Sequence, residues 1–257
     1  MSQPSADSDR WCRRYRPAEG AAARLVCLPH AGGSAPFFYP VAVALSPEVD
    51  VVAIQYPGRQ DRRTEVPLTD VRILADRIYD VLRDQPELPL TLFGHSLGAL
   101  VAFEVALRLE AGGLSPVRLF ASGRRGPATY RDENVHRYDD AGIMNELRKL
   151  NGTASALLDD EEMMRAAMPS LRADYQASET YACGPDVAVS CPITVLTGDK
   201  DPKTTVEEAT MWSEHTTGSF DLEVFVDGGH FFLVDRANEV KQLLSKHFQA
   251  ERTRVPS

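Results

Sequence analysis

The segment from Leu90 to Leu109 constrains the fold most, because it joins an apolar run to a helical pattern through Gly-x-Ser-x-Gly. Leu90 to Gly94 predicts a buried strand, and Leu97 to Leu109 predicts a helix that begins directly after Ser96. Such an abrupt strand-to-helix turn needs small residues on both sides of the serine. The segment therefore predicts a nucleophile elbow, with an ordinary tight turn as the alternative.

Further apolar, β-branched runs alternate with helical patterns along the chain. They predict strands at residues 24–29, 49–55, 117–122, 193–198 and 222–226, and helices at 71–82 and 234–248. Strands in this rhythm are typical of a mostly parallel sheet that is buried on both faces by helices. The predicted fold class is therefore α/β.

The rhythm breaks between residues 126 and 185, where the sequence predicts helices but no strand. Helical patterns cover Asp139 to Leu150 and Asp160 to Tyr181. The second pattern carries apolar residues at helical spacing: Met163, Ala167 and Leu171. We expect a core of residues 1–125 and 186–257, and a helical lid insertion at 126–185. A structural subdomain without a gating role is the alternative.

The acidic balance of the chain argues against two classes of partner. Asp and Glu number 37 against 28 Lys and Arg, which gives a formal net charge of -9. Nucleic-acid-binding proteins need basic residues to displace counterions from phosphates, and an anionic membrane would repel this chain. The polar first ten residues lack the apolar core of a secretory signal, and the four cysteines show no disulfide or metal-binding pattern. We therefore expect a cytoplasmic protein with no bound metal.

A serine at such an elbow becomes nucleophilic only when a base accepts its proton, and the chain has six histidines. His230 follows the last predicted strand, in a loop at the same sheet edge as the elbow. An acid that orients this base is expected after the strand at 193–198, where Asp199 and Asp201 are the candidates. We select Asp201 because the proline after it fixes an extended turn. The predicted catalytic residues are Ser96, Asp201 and His230.

An oxyanion hole requires two backbone donors near the serine. The N–H of Leu97 is one, because Leu97 begins the helix after the elbow. The loop from Pro29 to Ala35 is rich in small residues and can approach a substrate carbonyl closely, so the N–H of Ala31 is the second predicted donor. We interpret His30 as a side chain that fixes this loop. The alternative is that His30 is the base.

Several segments together resemble the type II thioesterases, which are stand-alone α/β-hydrolases associated with polyketide and non-ribosomal peptide synthases. The segments are Leu28 to Ala35, Gln55 to Gln60, Gly94 to Ala106, Gly198 to Pro202 and Gly228 to Phe231. The Pro-Gly-Arg sequence in the second segment discriminates best, because general esterases share the elbow without it. The chain departs from the family in having Leu97 where Met is frequent and Gln60 where an acidic residue is frequent.

The resemblance implies an α/β-hydrolase that cleaves acyl thioesters from the phosphopantetheine arm of acyl or peptidyl carrier proteins, clearing stalled or misprimed chains. The reaction would pass through an acyl group on Ser96. No cofactor is expected, because the substrate itself carries phosphopantetheine. A monomer is expected. A general carboxylesterase or an acyltransferase on the same fold is the alternative, and a non-catalytic accessory protein is a further one.

Carrier proteins are commonly acidic, so an enzyme of the same sign needs a local basic surface for docking. Arg59 lies in the Pro-Gly-Arg segment, and Arg124 and Arg125 follow a predicted core strand. These three arginines are the candidates for contact with the substrate or the carrier protein, with solvated loop charges as the alternative.

Overall fold

A mostly parallel sheet forms the centre of the structure, a computed structural model that describes residues 6–85, 88–151 and 160–254. The strands are β1 Cys12–Arg13, β2 Ala23–Leu28, β3 Val49–Ile54, β4 Leu90–His95, β5 Arg118–Ser122, β6 Ile193–Gly198 and β7 Phe220–Phe225. Within the described residues they form one seven-stranded sheet in the order β1-β3-β2-β4-β5-β6-β7. Only β1 and β3 pair antiparallel, so the predicted α/β class is confirmed.

Helices cover both faces of this sheet. They are α1 Ala6–Trp11, α2 Tyr39–Leu45, α3 Val71–Leu82, α4 Leu97–Ala111, α5 Asp140–Asn151, α6 Glu161–Thr180, α7 Val206–Thr210, α8 Phe232–Asp235 and α9 Ala237–Arg254. The predicted helix at 234–248 is therefore two helices, which are separated at Arg236. None of the helices in the described part of the chain combines the length and apolar character needed to span a bilayer.

The apolar strand runs are explained by burial on two sides. Every residue of β2 is buried, and successive side chains point to opposite faces. Val26 and Leu28 belong to the core cluster beneath α3 and α4, whereas Leu25 and Cys27 belong to the cluster beneath α2 and α9. The sequence did not predict β1, because two residues are too short to show a periodic pattern.

The chain between β5 and β6 contains α5 and α6, and no strand lies in the described residues 126–151 and 160–185. The two helices bury a shared apolar cluster: Ile143, Leu147, Met164, Met168, Leu171 and Tyr175. The predicted stripe was partly wrong, because Met163 is 51% exposed and its neighbour Met164 takes the buried position. Residues 152–159 of the predicted insertion lie outside the described residues. The boundaries of the insertion and its role as a lid stay predictions.

Helix α3 begins at a side-chain cap. The Asp70 carboxylate accepts hydrogen bonds from the backbone N–H groups of Arg72 at 2.7 Å and Ile73 at 3.2 Å. We expect Asp70→Ala to lower the free energy of unfolding by about 1 kcal/mol, because these N–H groups lose their acceptor. Urea denaturation measures the effect. Asp80→Ala, on the exposed face of the same helix, should change it by less than about 0.5 kcal/mol; equal losses would contradict the role of the cap.

Candidate active site

Ser96 stands at a strained turn between β4 and α4. Its backbone has φ 54° and ψ -116°, in the left-handed half of conformational space that non-glycine residues rarely adopt. The two flanking glycines are required by space rather than by their own dihedral angles. A Cβ atom on Gly98 would lie 2.1 Å from the Leu28 carbonyl oxygen, and one on Gly94 would lie 2.1 Å from the Gly98 carbonyl oxygen. The backbone therefore approaches itself closely on both sides of Ser96.

The structure places Ser96, His230 and Asp201 in one hydrogen-bonded row. The distance from Ser96 Oγ to His230 Nε2 is 3.1 Å, and the distance from His230 Nδ1 to Asp201 Oδ2 is 2.8 Å. A carboxylate only accepts hydrogen bonds, so Nδ1 carries the proton and Nε2 is left to accept the hydroxyl proton of Ser96. The other carboxylate oxygen of Asp201 accepts the N–H of Lys203 at 2.8 Å. The alternative acid, Asp199, is exposed.

Strand order explains why these residues meet. Ser96 follows β4, Asp201 follows β6 and His230 follows β7, and all three strands run in the same direction in the sheet. Their carboxyl ends therefore open at the same edge. The last two loops also touch, since a Cβ atom on Gly198 would lie 2.1 Å from the Gly228 carbonyl oxygen.

The two predicted oxyanion donors lie close to Ser96: Leu97 follows it directly in the chain, and Ala31 lines the same cavity. Leu97 is the first residue of α4, so its N–H has no acceptor within the helix. Ala31 and Ser96 both line a cavity of about 30 Å³. Residues of the 126–185 segment line the same cavity: Glu133, Leu147, Leu150, Tyr175, Ser178 and Glu179. The cavity therefore lies between the sheet edge and the predicted lid.

The other two histidines near His230 are held neutral. His95 is fully buried, and its Nδ1 lies 3.1 Å from Ser122 Oγ. The ring of His30 packs edge-on against Phe37 and Phe231, with ring centroids 4.8 and 4.9 Å apart. Burial lowers the pKa of His30 to about 3, with smaller contributions from the charges of His230 and Arg59. Burial likewise lowers the pKa of His95 well below its ordinary value.

The three arginines predicted to contact the substrate or the carrier protein are all buried, and that contact stays a prediction. Arg59 and Arg124 are 8% exposed and Arg125 is 2% exposed. Arg59 pairs with Asp174, and Arg125 Nη2 lies 2.8 Å from a Glu133 carboxylate oxygen. Arg59 and Arg125 thus face carboxylates of the same chain, and a sequence does not show which arginines acquire such partners.

Arg124 differs from the other two arginines, because it lines the cavity beside Ser96. Its Nη2 donates to the Ser178 carbonyl oxygen at 3.1 Å. Burial, together with the neighbouring charge of Arg125, lowers the pKa of Arg124 to about 9. Its predicted contact with substrate stays a prediction. In the described residues, no group of three His, Cys, Asp or Glu side chains is arranged to hold a metal ion.

The comparison with known families agrees with this geometry. A family model described as "Thioesterase domain" matches residues 23–249. The chain belongs to the thioesterase domain family. The enzyme is 54% identical over 243 residues to a "Probable cadicidin biosynthesis thioesterase" from Streptomyces griseus, a match that covers 95% of this chain and 67% of that protein. It is 45% identical to "Thioesterase PikA5" from Streptomyces venezuelae over 96% of this chain and 89% of the relative.

Solved structures support the same assignment. The type II thioesterase BorB from the borrelidin biosynthetic cluster superimposes on the enzyme with a TM-score of 0.88 at 49% identity. The match covers 93% of this chain and 98% of BorB. The predicted resemblance to type II thioesterases and the predicted α/β-hydrolase fold are therefore confirmed.

Sequence reasoning missed one residue next to the site of this thioesterase. Asp174 of α6 is 1% exposed and contacts the loop that carries Ala31. A signal was present, because Asp174 interrupts the apolar stripe that continues through Leu171 and Tyr175. A carboxylate on a buried helix face requires a cationic or N–H partner, but the stripe alone does not identify that partner.

Gly98→Ala should destabilise the enzyme, because the added methyl group collides with the Leu28 carbonyl. The expected loss of unfolding free energy is about 1–3 kcal/mol, the usual cost of overpacking a closely packed interior. Urea denaturation measures it. Gly184→Ala is the matched control, since the added atom would lie 3.5 Å from Val187 Cγ2, an ordinary van der Waals distance. A Gly98→Ala protein as stable as the control would contradict the close approach.

Neutral His30 and His95 make stability depend on pH. Their pKa values are lower in the folded state, so below about pH 6.5 the unfolded chain binds protons that the folded chain does not. The free energy of unfolding that these two histidines contribute is fully present above that pH. It is lost as the pH falls, by roughly 1.4 kcal/mol per pH unit for each histidine. His30→Gln should flatten the dependence measured by urea denaturation between pH 7.5 and 5. An unchanged slope would contradict a neutral His30.

Proposed function

We propose that the enzyme hydrolyses acyl thioesters on the phosphopantetheine arm of acyl or peptidyl carrier proteins, and so clears stalled or misprimed chains from a polyketide or non-ribosomal peptide synthase. The observation that carries this proposal is the hydrogen-bonded row of Ser96, His230 and Asp201. Relatives named as thioesterases of biosynthetic pathways support the same substrate class. The phosphopantetheine arrives with the substrate, so the enzyme needs no cofactor of its own for this reaction.

Acylation begins at Ser96. His230 Nε2 accepts the hydroxyl proton while Oγ attacks the thioester carbonyl carbon, and Asp201 stabilises the imidazolium that forms. The N–H groups of Ala31 and Leu97 donate to the oxyanion of the tetrahedral intermediate. When this intermediate collapses, the C–S bond breaks and the imidazolium returns its proton to the departing pantetheine thiolate. The acyl group is then an ester of Ser96.

Deacylation repeats these chemical steps with a water molecule as the nucleophile. His230 removes a proton from a water molecule, whose oxygen attacks the acyl carbonyl of the Ser96 ester. The same backbone donors serve the second oxyanion. Collapse breaks the bond to Oγ, and His230 returns the proton to it. The products are a free carboxylic acid and the regenerated serine, so the carrier thiol is left unloaded.

The cavity beside Ser96 supports a small acyl group. Its volume is about 30 Å³, which is room for about two water molecules. A longer acyl chain would require the residues of α5 or α6 to move. We further propose that this occurs in the cytoplasm and that the enzyme acts as a monomer; the four free cysteines are compatible with a reducing compartment.

Two alternative functions, another enzyme on the same fold and a non-catalytic protein, require different features of the site. A general carboxylesterase or an acyltransferase would use the same three residues, so only the substrate separates it from the proposed enzyme. A non-catalytic accessory protein has no need of a connected serine, histidine and aspartate. The distances of 3.1 and 2.8 Å along this row favour an enzyme.

The proposal is tested by mass spectrometry of a carrier protein loaded with a short acyl group, before and after addition of the enzyme. Wild type should release the acyl group, and Ser96→Ala should slow release by at least about 10⁴-fold, because the nucleophile is lost. Ser213→Ala, at an exposed serine away from the row, is the control and should match wild type. An untouched carrier with rapid cleavage of a free oxygen ester would indicate a general esterase. Transfer of the acyl group to an added alcohol would indicate an acyltransferase.

A further inference from the structure

A buried ion pair joins the Pro-Gly-Arg segment to the predicted lid. The Asp174 carboxylate of α6 accepts hydrogen bonds from Arg59 Nη1 at 2.7 Å and from Arg59 Nη2 at 2.8 Å. The Arg59 side chain is 8% exposed and the Asp174 side chain is 1% exposed. A bidentate pair of this kind fixes the orientation of both side chains, because two parallel hydrogen bonds define a plane.

The same two residues also hold the loop that carries Ala31. Asp174 Oδ2 accepts the backbone N–H of Gly32 at 2.7 Å, and Arg59 Nη1 donates to the Gly33 carbonyl oxygen at 3.1 Å. The backbone on the carboxyl side of Ala31 is thus tied at consecutive residues. The Leu171 side chain packs on this backbone, because a Cβ atom on Gly32 would lie 2.4 Å from Leu171 Cδ2.

We propose that Asp174 and Arg59 are positioning residues for the oxyanion hole, and that they hold the Ala31 N–H toward the substrate carbonyl. This inference rests on the proposed function, since it assigns Ala31 as an oxyanion donor. Asp174 acts by fixing the Gly32 N–H, which shares one peptide plane with the Ala31 carbonyl, so the backbone directly after the Ala31 N–H is held in place. Arg59 acts by orienting that carboxylate and by holding Gly33.

The energetic reason is the steep dependence of catalysis on donor geometry. An oxyanion donor helps only at hydrogen-bond distance from the oxygen of the transition state, and a misplacement of about 1 Å can cost about 10²-fold in rate. The loop has Gly32 at φ +73° and another glycine directly after it. Glycines leave a loop with many accessible conformations, so side chains outside the loop must select the productive one.

The arrangement also couples the lid to the chemistry. Asp174 and Leu171 belong to α6, whereas Ala31 belongs to the loop after β2. Displacement of α6 would remove the acceptor of the Gly32 N–H together with the partner of Arg59. The oxyanion hole is therefore complete only while α6 is docked, which restricts hydrolysis to acyl groups over which α6 can stay in place.

The test compares three variants on a soluble acetyl thioester, with the active-site concentration determined by titration with a fluorophosphonate. Asp174→Asn keeps the size of the side chain but presents a donor toward Arg59. The double variant Arg59→Met/Asp174→Leu removes both charges with side chains of similar volume, an exchange that usually preserves stability. The control is Asp50→Asn, which disrupts a buried pair with Arg24 (2.8 Å) at the amino ends of β2 and β3.

We expect Asp174→Asn and the double variant to lower kcat by about 10- to 100-fold with a small change in KM. The rate of phosphonylation of Ser96 should fall in parallel, because the phosphonyl oxygen uses the same donors. The pH dependence of kcat should stay unchanged, since His230 and Asp201 are intact. Asp50→Asn should keep the wild-type kcat per titrated site.

The outcomes separate the inference from the proposed function. If the double variant melts like wild type but keeps its kcat, the pair is only structural and the inference is wrong. If Asp50→Asn lowers kcat as much as Asp174→Asn, the effect is a general one of lost stability and the inference is equally wrong. If wild type reacts with the fluorophosphonate but with neither the soluble thioester nor an acyl-loaded carrier protein, the proposed function itself is wrong.

Discussion

The close approach of α4 to the end of β2 is the contact on which the rest of the site depends. Gly98 leaves no room for a side chain, because the Leu28 carbonyl oxygen occupies the space a Cβ would need. Strands β2 and β4 are paired in parallel, with Leu28 opposite Gly94, so the elbow and the 29–35 loop leave the sheet side by side. Two distant segments thereby bring the predicted nucleophile Ser96 and the predicted donor Ala31 to one cavity. Strain at Ser96, at φ 54°, is sustained by this surrounding backbone.

Core arginines and the 126–185 segment are connected by buried polar contacts. Arg59 pairs with Asp174, Arg124 donates to the Ser178 carbonyl oxygen, and Arg125 pairs with Glu133. Buried ion pairs contribute little net stability, because the cost of removing the charges from water offsets their attraction. Their value here is orientation, since each fixes a part of the segment relative to the edge of the sheet.

The three histidines around the site differ in their surroundings. His30, His95 and His230 have neighbouring rings, with centroids 5.2 Å apart for His95 and His230 and 5.8 Å for His30 and His95. Of these three rings, that of His230 lies 2.8 Å from a carboxylate oxygen of Asp201. The other two lie in surroundings that oppose protonation, so neither competes for the proton that the proposed reaction takes from Ser96. In the proposed reaction, these neutral neighbours leave the positive charge on His230.

The sequence by itself determined the parts of the fold and site that depend on local pattern and order. The apolar runs of β2 to β7, the elbow at Ser96 and the loops that carry Asp201 and His230 follow from periodicity and from the rule that parallel strands open at one edge. Only the tertiary structure decided which charges are buried and what they contact. Arg59 is indistinguishable from a solvated loop arginine until α6 brings Asp174 against it. Local pattern reports which side chains face the core, but burial of a charge depends on partners that only long-range packing supplies.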